Sequence, residues 1–274
     1  MRPQWKTVLG ILAASLGFAP LCRATISTPT SAWTFDEGTG TNTADIADSN
    51  PGTLYNGPLW VTDTPHAYAG NFALKFDGVN DRVGVGDPAN LFTAGPFSVQ
   101  AWVKLGSPTA SGYMFADYTT AGTFSTFALN VSGSQKARFF WENPTGTAPL
   151  TVSTTTLTTG AWTQVVGTWD GTTRRLYING LLEDSNSTAQ SRTDVGQDSN
   201  IGAWGGTGGL WLNATIDEVG FWNYSLSQAE ITDLYNNPLS VSAVPEPSAT
   251  ILVGMAASAI LFLRRKRYFN YGVV

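Results

Sequence analysis

Two turn dipeptides about nine residues apart constrain this chain more than anything else in it. The stretch Trp162 to Ser185 reads WTQVVGTWDGTTRRLYINGLLEDS. Asp170-Gly171 and Asn179-Gly180 are residue pairs that accept the left-handed backbone a tight hairpin demands. Before the first turn stand Val165, Val166, Thr168 and Trp169, β-branched or aromatic residues suited to a pleated, half-buried surface. Between the turns Arg174, Leu176 and Ile178 alternate with Arg175, Tyr177 and Asn179. Leu181 and Leu182 continue beyond the second turn. The pattern predicts an antiparallel meander, with Arg174 and Arg175 solvated or paired with nearby acids.

The same signals recur on both sides of it. Trp33 and Phe35 alternate with Ala32 and Thr34. Phe72, Leu74 and Phe76 alternate with Ala73, Lys75 and Asp77. Phe97, Val99, Ala101 and Val103 stand against Ser98, Gln100, Trp102 and Lys104, the cleanest period-two run in the chain. Further strands are expected at 53–61, 82–85, 113–118, 126–131, 137–142, 150–157, 200–204 and 212–224. One helix is expected over 228–236: Ser227 and Glu230 form a capping box, Ile231, Leu234 and Tyr235 make an apolar face, and Asn237-Pro238 ends it. A dozen or so strands with one short helix predict an all-β fold of two packed sheets.

Both ends differ from this middle. Residues 1–24 combine Arg2 and Lys6, an apolar run from Val8 to Leu21, and Cys22-Arg23-Ala24, the order of a signal peptide cut by signal peptidase. Cys22 is the only cysteine, so export would leave a domain without disulfides. Residues 25–243 are the expected domain. Seven of the 15 basic residues and one of the 20 acids lie in the terminal segments, which leaves the middle near −11. That charge disfavours nucleic acid and anionic membranes as partners of the domain. At the other end, Pro245-Glu246-Pro247 precedes an apolar stretch, 248–263, and then Arg264, Arg265, Lys266 and Arg267. Sixteen helical residues would reach about 24 Å, just short of a bilayer core of about 30 Å, with the basic cluster on the cytoplasmic side.

Two resemblances rest on these residues. The tripartite ending, residues 244–267, resembles the PEP-CTERM sorting signal, which implies membrane anchoring and then cutting by an exosortase; the tail 268–274 is longer than such signals carry. The middle resembles the LamG-like jelly rolls of the concanavalin A-like lectin/glucanase superfamily, through Trp33 to Gly38, Phe76 to Asp81, Phe97 to Val103, Trp162 to Gly180, and Ile216-Asp217-Glu218-Val219 through Ile231. It implies a two-sheet antiparallel jelly-roll sandwich and a carbohydrate ligand, and in many relatives one calcium ion.

The residues themselves limit the chemistry. Glycosidases of this superfamily carry an E-x-D-x-x-E strand, and none of the six glutamates stands in that pattern. Asp217-Glu218 and Asp36-Glu37 are adjacent pairs, whose side chains would point to opposite faces of a regular strand. His66 is the only histidine, which argues against a histidine triad or a multi-histidine zinc site. The chain is therefore expected not to be an enzyme. Calcium ligands are expected from Asp77, Asn80 and Asp81 in one turn, with Asp217 added by the resemblance. Four of the aromatics nearer loops and strand ends, Trp141, Trp204, Trp211 and Tyr118, are the expected sugar platform. Trp204 and Trp211 share a glycine-rich loop, AWGGTGGLW, that could contact glycan or fold back onto the sandwich. Trp33, Trp162, Trp169 and Trp222 are expected in the core. The function expected is an exported binding or structural protein of the cell surface or extracellular matrix, with a polysaccharide as ligand. The alternatives are a protein-interaction or surface-layer module, and a divergent polysaccharide-cleaving enzyme.

Overall fold

The computed structural model describes residues 28–48, 50–87, 95–118, 125–142, 149–190, 196, 198–204 and 209–240. Both expected terminal signals, at 1–24 and 244–267, lie outside the described residues, as does the tail after them. The strands are β1 (Ser31–Trp33), β2 (Asn42–Thr43), β3 (Gly52–Tyr55), β4 (Leu59–Val61), β5 (Ala73–Asp77), β6 (Arg82–Gly86), β7 (Phe97–Leu105) and β8 (Gly112–Tyr118). There follow β9 (Ser125–Val131), β10 (Lys136–Phe140), β11 (Thr151–Thr156), β12 (Trp162–Trp169), β13 (Arg174–Ile178), β14 (Leu181–Asn186), β15 (Ser199–Ile201), β16 (Asn213–Trp222) and the helix α1 (Gln228–Asn236).

They form two antiparallel sheets. The first runs β14-β13-β12-β7-β16-β5-β4, with β1 also on β16. The second runs β11-β10-β9-β8-β15-β6-β3-β2. The meander lies where its two turns put it. β12 pairs with β13 through Asp170-Gly171, and β13 with β14 through Asn179-Gly180. Asn179 and Gly180 take φ of 49° and 78°, the backbone the dipeptide was selected for. The free edge of β12 pairs along its whole length with β7, from Trp162 opposite Lys104 to Trp169 opposite Phe97.

That register sorts the side chains. Phe97, Val99, Ala101 and Val103 point between the sheets. Phe97 is the hub, 5.7 Å from both Phe139 and Phe221 and 5.9 Å from Trp141. Removing its ring would cost about 3–5 kcal/mol. On β12 the inward position opposite Phe139 must be glycine: a Cβ on Gly167 would stand 2.4 Å from that ring. Trp33 and Trp169 are buried between the sheets and Trp222 under α1. Trp162 is not a core residue. It lies opposite Lys104 on the outer face, half-buried, its Nε1 donating to Asp63 at 3.1 Å beside the Lys104–Asp63 ion pair.

The helix covers the outer face of the first sheet. Its capping box forms as expected: Glu230 N–H donates to Ser227 Oγ, and Ser227 N–H to Glu230 Oε2. Ile231 and Leu234 pack on Val166, Tyr177 and Trp222, while Tyr235 stacks on Trp102 at 5.6 Å. Among the described residues no helix is long and apolar enough to cross a membrane.

The two sheets are joined at one side by carboxylates. β11 is the second sheet's edge, with N–H groups left without a strand partner. Asp184 of β14 accepts from Val152 N–H at 2.8 Å, and Glu183 accepts from Thr154 and Thr155 N–H at 2.8 and 2.9 Å. The edge is thereby satisfied without a further strand.

Candidate functional site

The outer face of the second sheet has no helix over it among the described residues. Alternation builds it. Val83, Phe127, Leu129, Ala137, Phe139 and Ile201 face the core, so their neighbours along each strand face out. Phe140, Ala128, Ala116, Asn200, Gly84 and Thr53 stand opposite one another in turn across six strands. The middle of this row is narrow in side chain. A Cβ on Gly84 would lie 3.0 Å from the Tyr55 ring and 3.4 Å from Asn200 Oδ1.

Larger groups flank the row. Tyr113, Ala116, Ala128 and Phe140 form an apolar cluster separate from the core, against which Leu150 and Trp204 pack. Arg138 faces Asn130, which faces Tyr113 on the next strand. Arg82 lies over the Tyr55 ring, 3.8 Å from its centre. Arg82 Nε, Arg138 Nε and Asn130 Oδ1 have no hydrogen-bond partner among the described residues. These three atoms are buried, and the face as a whole joins aromatic surface to guanidinium and amide side chains, the combination that fixes a polar ligand with apolar ring faces.

Of the four aromatics expected to bind, the structure brings one to this face. Trp204 lies on it, half-buried, its carbonyl accepting from Asn200 Nδ2 at 2.9 Å. The loop it belongs to folds back: Trp204 N–H donates to Gly209 O, and a Cβ on Gly209 would stand 2.1 Å from the indole nitrogen. Trp211 is half-buried just before β16 and is not part of the cluster. Trp141 corrects the expectation. It continues the inward alternation Ala137, Phe139, Trp141 and is wholly buried between the sheets. Tyr118 ends β8, paired in backbone with Ser125, and its side chain lies outside the described residues. Tyr55, Arg82, Asn130 and Arg138 were not anticipated. Their signal is the outward half of each alternation, which composition does not distinguish from ordinary solvent-facing positions.

Of the expected calcium ligands, Asp77, Asn80 and Asp81 share one turn and Asp217 stands apart from it. In the turn after β5, Asp77 Oδ1 accepts from Val79 and Asn80 N–H, and Asp81 Oδ2 accepts from Asp77 N–H at 3.0 Å. These carboxylates cap the turn. Asp217 stands four residues along β16 from Asn213, the residue opposite Asp77. Among the described residues no three His, Cys, Asp or Glu groups gather in a geometry that would hold a metal ion.

Asp217 and Glu218 overturn a second expectation. They do not point to opposite faces. The register of β16 against β7 slips between Asp217 and Gly220, and Glu218 takes φ of 52°. This bulge turns both carboxyls to the outer side of the first sheet, wholly buried. Glu218 accepts from Leu239 N–H, and Asp36 nearby accepts from the Tyr68 hydroxyl at 3.0 Å. Burial, then repulsion from Glu218, holds Asp217 well above the usual carboxylate range. Glu218 is pushed up to about 8, chiefly by burial and further by Asp36, against the lowering effect of the Leu239 bond. Asp217 Oδ2 has no partner among the described residues, while a side-chain bond with Tyr68 adds to the lowering effect on Glu218.

Comparison with known proteins places this geometry. A family model described as the concanavalin A-like lectin/glucanases superfamily matches residues 77–232. No curated protein matches the chain in sequence. Among solved structures it is similar to domain 4 of AbnA, an extracellular family 43 arabinanase of Geobacillus stearothermophilus, in complex with arabinotriose. The TM-score is 0.59 at 16% identity, over 76% of this chain and 98% of that one. The receptor-binding domain of botulinum neurotoxin type G aligns with TM-score 0.55 and 12% identity, over 77% of this chain and 51% of its own. A sialidase of Trypanosoma rangeli gives 0.57 and 16%, over 76% of this chain and 33% of its own. At these identities the likeness is one of fold.

Proposed function

The chain belongs to the concanavalin A-like lectin/glucanases superfamily, and on that premise we propose that it is a non-catalytic carbohydrate-binding protein whose ligand lies on the outer face of the second sheet. One observation carries the reading. Arg82, Arg138 and Asn130 share one face of the second sheet with Trp204 and Tyr55. A sugar would stack an apolar ring face on the aromatics and give its hydroxyls to the guanidinium and amide groups. The arabinotriose in AbnA domain 4 makes neutral oligosaccharides the first class to test. Binding is favoured over cleavage because the adjacent carboxyls Asp217 and Glu218 lie on the first sheet, away from the aromatic face.

Export completes the proposal. Residues 1–24 would direct secretion, and Pro245-Glu246-Pro247 with Arg264 to Arg267 would hold the chain at the membrane until an exosortase cuts it. The domain would then act at the cell surface or in the extracellular matrix. Calcium belongs to the same reading, with Asp77, Asn80 and Asp81 of one turn as the ligands to test.

The test is calorimetric titration of the full-length chain in detergent with neutral oligosaccharides. Binding should weaken at least tenfold in Trp204→Ala and in Arg138→Ala. Affinity unchanged in both variants would remove the site from this face.

A further inference from the structure

Among the described residues, Arg174 is a cation buried without a counter-ion. Arg174 opens β13, directly after the Asp170-Gly171 turn, and its side chain is fully buried. Its guanidinium carbon lies 3.9 Å from the centre of the Trp141 ring and 5.6 Å from that of Trp169. Its hydrogen bonds go to neutral oxygens only, Thr188 O at 3.3 Å and Gln190 Oε1 at 3.0 Å, and its Nε has no partner among the described residues. The acid of the adjacent turn is committed elsewhere, Asp170 being paired with Arg175 at 2.6 Å. This corrects the expectation that both arginines would be solvated or acid-paired: Arg175 is, and Arg174 is not. A guanidinium offers five donors, and burying one without an anion is costly. Burial accordingly lowers its affinity for its proton, to about 10.

The wall that hides this cation is also the wall of a cleft. Trp169 and Gln190, which Arg174 stacks on and bonds to, line an open cleft of about 460 Å³ together with Gly171, Thr172, Ser187 and Ala189. Thr172, Ser187 and Ala189 are exposed, Gln190 is half-buried, and Trp169 is 8% exposed. Hydroxyls, an amide and one indole surround a space of the size that takes a small ligand, with an unneutralised cation one side chain behind it. None of its lining residues belongs to the outer-face cluster of the second sheet, so the two sites are tested by different variants.

The geometry points to a second binding site, in this cleft, for a carboxylate-bearing sugar such as a uronic acid residue, its carboxylate displacing the Gln190 amide from the Arg174 guanidinium. A planar carboxylate matches the guanidinium fork by two parallel hydrogen bonds. Neutral sugars lack the group that would repay moving Gln190, so the site would select for charge.

The probe is trigalacturonate, titrated against the full-length chain in detergent, with neutral galactotriose in parallel. The wild type should bind the acidic trisaccharide at least tenfold more tightly than the neutral one. Arg174→Met should abolish that preference. Gln190→Glu keeps a side chain of the same shape, supplies an internal carboxylate and should therefore also abolish it, while raising the melting temperature rather than lowering it. Trp204→Ala should leave trigalacturonate affinity unchanged. Equal affinity for the two trisaccharides, or an acidic preference that survives Gln190→Glu, would overturn the proposal, and neither outcome bears on the ligand face.

Discussion

Glu218→Gln should make this protein more stable at alkaline pH and leave it nearly unchanged at acid pH. In the folded chain the Glu218 carboxyl is pushed up to about 8 from an ordinary 4.5, first by burial. A raised acid binds its proton more tightly folded than unfolded. Between pH 4.5 and about 8 the native state therefore holds more protons, and stability falls as pH rises through that window. At about 1.4 kcal/mol per pH unit, the folded state loses at most about 5 kcal/mol by the top of the window. Glutamine imitates the protonated acid. Its amide oxygen can accept from Leu239 N–H as the carboxylate does. For a domain of this size 1 kcal/mol moves Tm by about 2–4 °C. The variant should melt about 5–15 °C higher than wild type at pH 8.5 and within about 2 °C of it at pH 4.5, both followed by circular dichroism in a chelator. A difference that does not change with pH, or a variant less stable at pH 8.5, would refute the reasoning about the bulge.

Four further outcomes follow from the same structure. Millimolar calcium should raise the Tm of wild type and not of Asp81→Asn, and no shift in wild type would end the calcium reading. Gly167→Ala should lower stability by about 1–3 kcal/mol in urea titration, because its Cβ meets the Phe139 ring at 2.4 Å. Glu183→Gln should cost about 1 kcal/mol near neutral pH and progressively less in acid: burial raises this carboxyl, but hydrogen bonds from Thr154 and Thr155 outweigh it and lower it, so its contribution is present above the unfolded value and lost as pH falls through the folded one. Intact-mass analysis of the exported protein should give a chain starting after Ala24 and ending near Pro247, and retention of residues 248–274 would refute processing.

Local features were the legible ones. Asp170-Gly171 and Asn179-Gly180 specify left-handed backbone by their own chemistry, and Ser227 with Glu230 caps its helix through contacts three residues apart. The alternation in β7 fixed an inner and an outer face before any partner was known. Two misplacements were avoidable on the same logic. Trp162 and Trp169 are seven residues apart, hence on opposite faces, and Trp141 continues the inward series from Ala137. The rest depended on partners distant in sequence. Nothing near Asp217 announces the bulge that turns Glu218 to the same side, because the slip arises from fitting β16 between β7 and the two strands β5 and β1. Arg174 reads as a surface residue until Trp141, from the other sheet, is laid against it. Glu183 and Asp184 look solvated until β11 arrives with N–H groups to satisfy. The ligand face is the hardest case, since outward positions carry no periodic signal of their own.

The central claim is that the outer face of the second sheet holds a glycan. The most direct measurement is a glycan array probed with the full-length chain in detergent, with and without calcium, beside the Trp204→Ala and Arg138→Ala variants. The account predicts binding to at least one neutral oligosaccharide, lost in both variants. Failure of the wild type to bind any neutral glycan under either condition would contradict it.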